Sequence, residues 1–425
     1  MATFQEQYKS VRKEFPLLQD KAMEHFNRLG FPTVRNEEWK YTNISPLVSK
    51  SFSFSESGFS FSNEDCIGQF SFLRNAILIV IENGRLNTDA SEINSLPEGV
   101  EIKTILQSKH IPLVQKHFGN YADVSLDSFA ALNTAFAQDG IVIHVQPSAI
   151  IDKPVYILNI SSSVEDTVIM HNRLLIVAEK NSSSKFGWIT ISANPSSESF
   201  INAVNEIVTE ENATVEFDIF QDENLNSFQI CNSYVYQQRD SKFKINTLTT
   251  GGKIIRNKLH IKLDGENCET HLNGLYIVDG SQLVDNHTAV FHSKPHCNSN
   301  QMYKGIIGGK AHGVFNGKIL VEKNAQKTNA FQSNKNILLS SEGVVNAKPQ
   351  LEIFADDVKC THGATTGQMD TDALFYLRSR GINEGNAKAL LNLAFVNDVL
   401  ENISMEEFKN EVALKIKKKL KATAK

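Results

Sequence analysis

The amino-terminal part of the chain carries the hydrophobic spacing of helices. Phe4, Tyr8, Val11 and Phe15 recur at intervals of four, three and four residues, which predicts that they share one helix face. A second helix is predicted from its apolar positions and its stop signal, which are Ala22, Phe26, Leu29, Gly30 and Pro32. The alternating phenylalanines and serines of residues 51–62 then indicate a connector that forms an edge strand at most.

The pattern changes to that of β-strands from about residue 76 to residue 360. Residues 77–81 form an uninterrupted apolar run, which predicts a buried strand. A helical interruption is predicted at residues 128–137, and the strands resume at 141–145 and 155–160. Little helical periodicity follows until the late 350s, so this region is predicted to be almost entirely strands and turns.

A repeat runs through this β-rich region. An Asn or Asp followed by a small residue recurs at intervals of 31, 28, 27, 31 and 26 residues. The six positions are Asn181, Asn212, Asp240, Asn267, Asn298 and Asn324. Because Asn and Asp tolerate a left-handed backbone and a small neighbour fits a tight corner, the spacing predicts stacked coils, as in a parallel β-helix. Chance turns in a β-sandwich are the alternative.

Helical spacing returns at the carboxyl end. One helix is predicted from Asp370 to Ser379, closed by Gly381. Asn383 is predicted to cap a second, and Ser404 with Glu407 to form the capping box of a third. The apolar positions of the last two helices are Ala387, Leu391, Ala394, Phe395, Val399, Phe408, Val412, Ile416 and Leu420. The predicted division is therefore an amino-terminal helical region with its connector (1–75), a β-helix core (76–365) and a carboxy-terminal helical region (366–425).

Composition narrows the class of protein. The 425 residues carry a net charge of only -5, so nothing calls for nucleic acid or an anionic membrane as partner. No apolar run approaches the ~20 residues of a membrane span. The five cysteines are scattered and odd in number, which argues against a disulfide framework and favours reduced thiols in the cytoplasm.

The most distinctive candidate chemistry is the pair Cys360 and His362. On an extended backbone, residues i and i+2 point to the same face, so the thiol and the imidazole could address one ligand together. Both are good ligands for iron or zinc, but two ligands do not complete a metal site. The alternative is a strand-to-helix junction at which the cysteine packs and the histidine forms hydrogen bonds.

Three other groups are weaker candidates. His287, His292 and His296, followed by Cys297, could supply ligands, with His292 and His296 on one strand face; packing or binding of a partner by polar strand ends is the alternative. A carbohydrate-active β-helix enzyme would need paired carboxylates, and the adjacent Asp356–Asp357 would point to opposite faces of a strand. The glycine-rich spots at 251–252 and 305–309 match no nucleotide-binding loop and indicate turns.

Several long motifs resemble the SufB/SufD family of iron–sulfur cluster assembly proteins. The carboxy-terminal signature spans Cys360-Thr361-His362-Gly363-Ala364-Thr365-Thr366-Gly367 and the segment from Leu374 to Gly381. Similar motifs stand at residues 36–42 (NEEWKYT), 132–136 with 139–140, 295–305 and 325–328. The Gly363-Ala364 pair looks like the SufD branch, since SufB typically has Glu-Ala after the histidine. The region between Cys297 and Cys360 also lacks the cysteine at which SufB accepts sulfur.

This resemblance implies a mainly β protein, with a right-handed parallel β-helix between helical terminal regions, and a non-catalytic subunit. It implies a chain that pairs with SufB, binds the SufC ATPase and helps to build and transfer nascent clusters, with no tightly bound cofactor of its own. The transient iron or cluster would be shared with SufB. A SufB-like homodimeric scaffold is the alternative, ahead of the carbohydrate-active enzyme.

The resemblance also assigns residues to roles. His362 is the stronger candidate ligand, with Cys360 beside it. The candidates for the partner interface are His296, Ser299 and Lys304. The candidates for docking the ATPase are Phe375, Tyr376, Arg378 and Arg380.

Overall fold

Two parallel sheets stacked as a solenoid form the body of the protein. A computed structural model of the chain describes residues 2–54, 63–93, 96–162 and 167–423. The strands up to the first full coil are β1 (Ser53–Phe54), β2 (Ile77–Glu82), β3 (Arg85–Leu86), β4 (Val100–Thr104), β5 (Ile141–Val145) and β6 (Val155–Ser161). The strands of the regular coils are β7 (Val168–Ala178), β8 (Ser183–Ser192), β9 (Ser199–Thr209), β10 (Thr214–Asp222), β11 (Phe228–Gln237), β12 (Lys242–Thr249), β13 (Ile254–Leu263), β14 (Glu269–Val278), β15 (Leu283–His292), β16 (Asn298–Ile307), β17 (His312–Val321), β18 (Asn329–Leu338), β19 (Val344–Ile353) and β20 (Lys359–Gln368).

From β5 onward, successive strands alternate between the two sheets, which is what makes this part of the chain a solenoid. One sheet has the order β19-β17-β15-β13-β11-β9-β7-β5-β4, and the other has β20-β18-β16-β14-β12-β10-β8-β6-β2-β3. The pairs from β5 to β19 and from β6 to β20 are parallel and in continuous register. The predicted β-solenoid with helices at both termini is therefore confirmed.

The coil corners explain the sequence repeat and correct part of it. Left-handed backbone occurs at Asn181, Asn212, Asp240 and Asn267, as predicted. In the next two coils, however, the left-handed residues are His296 and Lys327, not Asn298 and Asn324. Asn298 begins β16 and Asn324 lies in the preceding part of its corner. The small residue after each corner is buried, and these residues are Ser182, Ala213, Ser241, Cys268, Cys297 and Thr328. Closure of the coil therefore imposes the left-handed turn even where the side chain does not favour it.

The interior of the solenoid is apolar at one end and becomes polar at the other. In the early and middle coils isoleucine, valine and phenylalanine fill the space between the sheets. In β18 the inward positions are instead amides, Gln332, Asn334 and Asn336, which are buried and alternate with outward residues. Because buried amides need hydrogen-bond partners, this end of the interior is a polar network and not a hydrophobic core.

The amino-terminal region is helical, as predicted, but its helices end at other residues than predicted. The helices before β5 are α1 (Ala2–Ser10), α2 (Pro16–Leu29), α3 (Ser45–Val48), α4 (Asn63–Ile67), α5 (Ile105–Ser108), α6 (Pro112–His117) and α7 (Ser128–Ala135), with 3₁₀ turns at Glu37–Trp39 and Ser71–Asn75. The first helix ends at Ser10, so Val11 and Phe15 are not on its face, although Val11 still packs in the same apolar cluster. The connector predicted at 51–62 begins with β1, and its residues 55–62 lie outside the described residues.

A short charged segment after α2 holds this region against the solenoid. The Arg256 guanidinium lies 3.9 Å from the ring centre of Trp39 and donates to the main-chain oxygen of Glu38 at 2.9 Å. Asp285, which is buried, accepts hydrogen bonds from Arg256 and from the Thr42 hydroxyl. The segment thus covers the outer face of the sheet that contains β13 and β15.

The carboxy-terminal region forms α8 (Thr371–Ser379), α9 (Glu384–Leu400) and α10 (Glu406–Thr423). The predicted cap Asn383 is present, Asp370 caps α8 instead of beginning it, and α10 buries its apolar positions as predicted. On α9, Ala394 is exposed, whereas the sequence predicts it among the buried apolar positions of this helix. The predicted capping box of α10 is wrong, because Ser404 binds the Glu216 carboxylate on β10 through both its main-chain N–H (2.9 Å) and its hydroxyl (2.6 Å). Ser404 therefore bonds Glu216 on the distant strand β10 in place of its neighbour Glu407.

The division of the chain at residues 75 and 365 stays a prediction, which separate expression of the pieces would test. Within the described ranges, no helix is long and apolar enough to cross a lipid bilayer.

Candidate functional site

The predicted ligand pair lies on the last strand of the solenoid. Cys360 and His362 belong to β20, where Cys360 pairs with Ala330 and His362 with Gln332 of β18. Both β18 residues are buried and point into the coil interior. Because parallel strands in register keep the same face, Cys360 and His362 point inward as well, side by side, at the open end of the solenoid.

The two side chains differ in their surroundings. Cys360 is half-buried and packs against a small apolar cluster that includes Ile319, Ala330 and Leu351. This burial raises the pKa of the Cys360 thiol above its ordinary value, so the free side chain stays protonated at neutral pH. His362 is exposed. The imidazole is therefore the more accessible of the two ligands, and binding by the thiol would require loss of its proton.

The sheets end here with unpaired strand edges. Among the strands that the structure describes, β20 pairs with β18 alone and β19 with β17 alone, so each has one open edge. The Lys359 N–H donates to Thr328 at 2.9 Å, toward β18. Because successive N–H groups of a strand point to opposite edges, those of Cys360, His362 and Ala364 point to the open edge. A row of free main-chain groups therefore borders the ligand pair.

This chain supplies only part of a metal site. Among the described residues, no group of three or more His, Cys, Asp or Glu side chains is placed to hold a metal ion. Cys360 and His362 thus remain a two-ligand set in this part of the chain. A tetrahedral iron or zinc site would need two further ligands from elsewhere.

The other histidines are not brought together. The predicted shared strand face of His292 and His296 is wrong, because β15 ends at His292 and His296 occupies an exposed left-handed corner. His287 lies between Asp285 and Glu38, at 3.1 Å from each. It therefore helps to hold the charged segment after α2 against the solenoid. The polar strand ends pack rather than form a ligand cluster.

Two of the three residues expected at a partner interface are buried within this chain. Lys304 is only 4% exposed, and its ammonium lies 2.7 Å from the Phe395 main-chain oxygen and 2.6 Å from Asp398. It therefore fastens α9 to β16 instead of facing outward. Ser299 is also buried, with its hydroxyl 2.9 Å from His292. Exposed His296 stays a predicted interface residue.

The buried imidazole of His292 makes folding sensitive to pH. Burial lowers the pKa of His292 to about 4, whereas an unfolded histidine titrates near ~6.5. The unfolded chain therefore binds more protons, and stability is lost as the pH falls from 6.5 toward 4. At pH 5 this loss is about 2 kcal/mol.

We expect His292→Gln to reduce the fall in the free energy of unfolding between pH 7 and pH 5 by about 2 kcal/mol, because the amide does not titrate and can still bond Ser299. Urea denaturation at the two pH values measures it. His110→Gln, at an exposed histidine, is the control and should keep the wild-type slope. An unchanged slope in His292→Gln would refute the assignment.

The helix that follows β20 presents aromatic side chains to solvent. On α8, Phe375 is 73% exposed and Tyr376 57% exposed. The Arg380 guanidinium lies over the Tyr376 ring at 5.3 Å, and Arg378 lies 3.4 Å from Glu384 at the start of α9. Exposed aromatics beside arginines are the composition of a protein-binding surface.

The remaining candidates are structural. Asp356 and Asp357 lie on an exposed corner rather than a strand, and Asp357 forms an ion pair with Lys327. Glycines 251, 252, 308 and 309 lie at corners as predicted, but Gly305 is inside β16. There it leaves room for the Tyr276 ring, which would be 2.4 Å from an added Cβ.

The residues missed by sequence reasoning are the buried amides beneath the ligand pair. Gln301 and Gln332 lie on the same inward column as His362. The available signal was the period-two spacing of Gln332, Asn334 and Asn336. Because the residues between them are also polar, the strand has no hydrophobic contrast and its inner face cannot be recognised.

The comparison with protein families defines the class of protein to which this solenoid and site belong. A model described as "SUF system FeS cluster assembly, SufBD core domain" matches residues 159–395, and one for the "SufBD protein N-terminal region" matches residues 3–157. The chain therefore belongs to the SufBD family of iron–sulfur cluster assembly proteins.

Individual members of this family are similar to the chain over most of its length. The chain is 32% identical over 388 residues to the iron–sulfur cluster assembly SufBD family protein slr0076 of Synechocystis, which covers 89% of this chain and 85% of that one. It is 28% identical to the iron–sulfur cluster assembly protein SufD of Escherichia coli, over 94% and 92% of the two chains. Protein ABCI7 of Arabidopsis thaliana, a chloroplast protein, is 27% identical to it over 94% of this chain and 85% of that one.

Proposed function

We propose that this chain is a SufD-like, non-catalytic scaffold subunit that pairs with a SufB-type subunit at the open end of its solenoid. There His362, with or without Cys360, would hold a nascent iron–sulfur cluster together with ligands of the other subunit. The observation that carries the proposal is the inward-facing Cys360–His362 pair on β20, a strand with one unpaired edge.

An incomplete ligand set suits a cluster that must be passed on. Each ligand bond adds to the barrier for release, so a cargo held by few ligands from two chains leaves when the chains move apart. The cluster is here the cargo of the assembly, not a resident cofactor of this chain. Imidazole and thiolate are both established ligands of iron–sulfur clusters.

The exposed face of α8 supports an ATPase as a further partner. Phe375, Tyr376, Arg378 and Arg380 form an aromatic and basic surface on this helix, which follows β20 after two residues. We propose that it docks a SufC-type ATPase. Lys304 ties the next helix, α9, to the solenoid, so movement of the docked subunit would reach the terminal coils through the contacts of Lys304 with Asp398 and the Phe395 main-chain oxygen.

Reconstitution with SufB and SufC tests the ligand role. We expect His362→Ala to slow cluster formation roughly tenfold or more, because one ligand of the shared site is lost. His110→Ala, at an exposed histidine between α5 and α6, is the control and should assemble clusters at the wild-type rate. Full-rate assembly by His362→Ala would show that this side chain is not a ligand.

A homodimeric scaffold is the second candidate, because the same open edges of β19 and β20 could pair with a second copy. Mass measurement of the chain alone and mixed with SufB separates the two. We expect a heterodimer in the mixture. A homodimer that persists in the presence of SufB would favour the second candidate.

A further inference from the structure

A column of glutamines leads from the solenoid interior to His362. In the register of the sheet, Gln301 of β16 pairs with Gln332 of β18, and Gln332 pairs with His362 of β20. Both glutamines are fully buried. All three side chains point inward, and neighbouring strands lie about 4.8 Å apart, so the Gln332 side chain lies on the adjacent strand directly beneath the imidazole.

Hydrogen bonds fix the orientation of the inner amides. The Thr288 hydroxyl donates to Gln301 Oε1 at 2.7 Å, and Gln332 Nε2 donates to the same oxygen at 3.2 Å. With Gln301 Oε1 accepting both bonds, the Gln332 amide presents its nitrogen inward. Its Oε1 is buried and has no hydrogen-bond partner among the described residues.

The opposite wall of the coil leaves space for this side chain. A Cβ added at Gly317 of β17 would lie 2.1 Å from Gln332 Nε2 and 2.8 Å from Gln332 Cδ. Any larger residue there would displace the amide. By contrast, a Cβ at Gly367, on the same strand as His362, would meet nothing within 4 Å.

We propose that Gln332 is the positioning residue of His362. Its Oε1 accepts a hydrogen bond from one ring N–H when the imidazole turns into the coil. The other ring nitrogen is then unprotonated and directed toward the open end, where it can bind iron. This inference rests on the ligand role proposed for His362. A buried acceptor without a partner is costly, so covering the open end with another subunit strengthens the bond.

The tautomer of His362 provides a readout that cluster activity does not. Nitrogen-15 chemical shifts of the histidine-labelled full-length chain at pH 8 report which ring nitrogen carries the proton, and His362→Gln identifies the signal. We expect a bias toward one tautomer that falls about threefold to tenfold in Gln332→Met, which removes the acceptor. Gln332→Glu keeps an acceptor and should preserve the bias.

Matched variants separate this bond from a general effect on packing. Gly317→Ala should reduce the bias as Gln332→Met does, whereas Gly367→Ala should not. Asn334→Leu removes a buried amide from the same strand and face, but opposite Ala364, and should leave the His362 tautomer unchanged. An unbiased wild-type imidazole, or a bias that survives Gln332→Met, would overturn the proposal.

The failure of this inference differs from that of the proposed function. A bias lost in Gln332→Met, together with full-rate cluster formation by His362→Ala, would leave the hydrogen bond standing and the ligand role wrong. A His362 tautomer bias that does not change in Gln332→Met, together with slow assembly by His362→Ala, would support the ligand role and show that Gln332 has no positioning role.

Discussion

Ala364→Pro is expected to weaken association with a SufB-type subunit by roughly 100-fold, equivalent to about 3 kcal/mol. The main-chain groups of Ala364 point to the open edge of β20, because those of its odd-numbered neighbours are directed toward β18. Proline removes the edge N–H and places a ring where a strand of the other subunit would approach. An edge strand tolerates proline, so the fold should keep its stability.

The matched control is Ala364→Val, which enlarges the side chain but retains the N–H. Isothermal titration or analytical ultracentrifugation of each variant with SufB gives the dissociation constants. We expect the valine variant to stay within a few-fold of the wild-type value. Equal binding by the proline variant would contradict pairing along this edge and would move the interface to another surface.

Arg173→Met is expected to lower the free energy of unfolding by about 3–5 kcal/mol. Arg173 and Glu206 are fully buried, with 2.7 Å between the guanidinium and the carboxylate. Arg173 also donates to Asn133 and Thr134 of α7, while Glu206 accepts main-chain N–H bonds from residues 119, 121 and 122. The pair thus joins α7 and the segment before it to β7 and β9, and loss of the arginine leaves a buried charge without a counter-ion.

A double variant tests that physical reason. Arg173→Met combined with Glu206→Gln removes both charges and keeps an acceptor for the main-chain groups, so it should be more stable than Arg173→Met alone. Lys388→Met breaks an exposed pair with Glu384 on α9 and should cost at most about 0.5 kcal/mol. Urea denaturation measures all three. A small loss in Arg173→Met would show that the carboxylate is adequately held by the main chain.

Much of the fold could be predicted because local periodicity and tertiary packing agree. Phe408, Val412, Ile416 and Leu420 recur every four residues and are buried along α10. Four of the six predicted coil corners are left-handed at the expected Asn or Asp. Where local preference and packing disagree, the tertiary structure determines the conformation. His296 adopts a left-handed backbone because the coil must close there, although a histidine side chain does not predict this conformation.

The site was predictable in part. The spacing of Cys360 and His362 correctly predicted a shared face, because alternation along an extended strand is a local property. The burial of Lys304 could not be foreseen, since it depends on where α9 returns to the solenoid from 91 residues later in the chain. Gln332 was missed because polar residues occupy both faces of β18.

The central claim is that His362 of this chain binds the cluster at an interface with another subunit. Nitrogen-15 histidine-labelled chain, assembled with unlabelled SufB and SufC, allows electron–nuclear double resonance of the chemically reduced cluster. We predict a nitrogen-15 hyperfine coupling that disappears in His362→Gln and persists in His110→Gln. A cluster that shows no such coupling with the wild-type chain, or keeps it in His362→Gln, would contradict the claim.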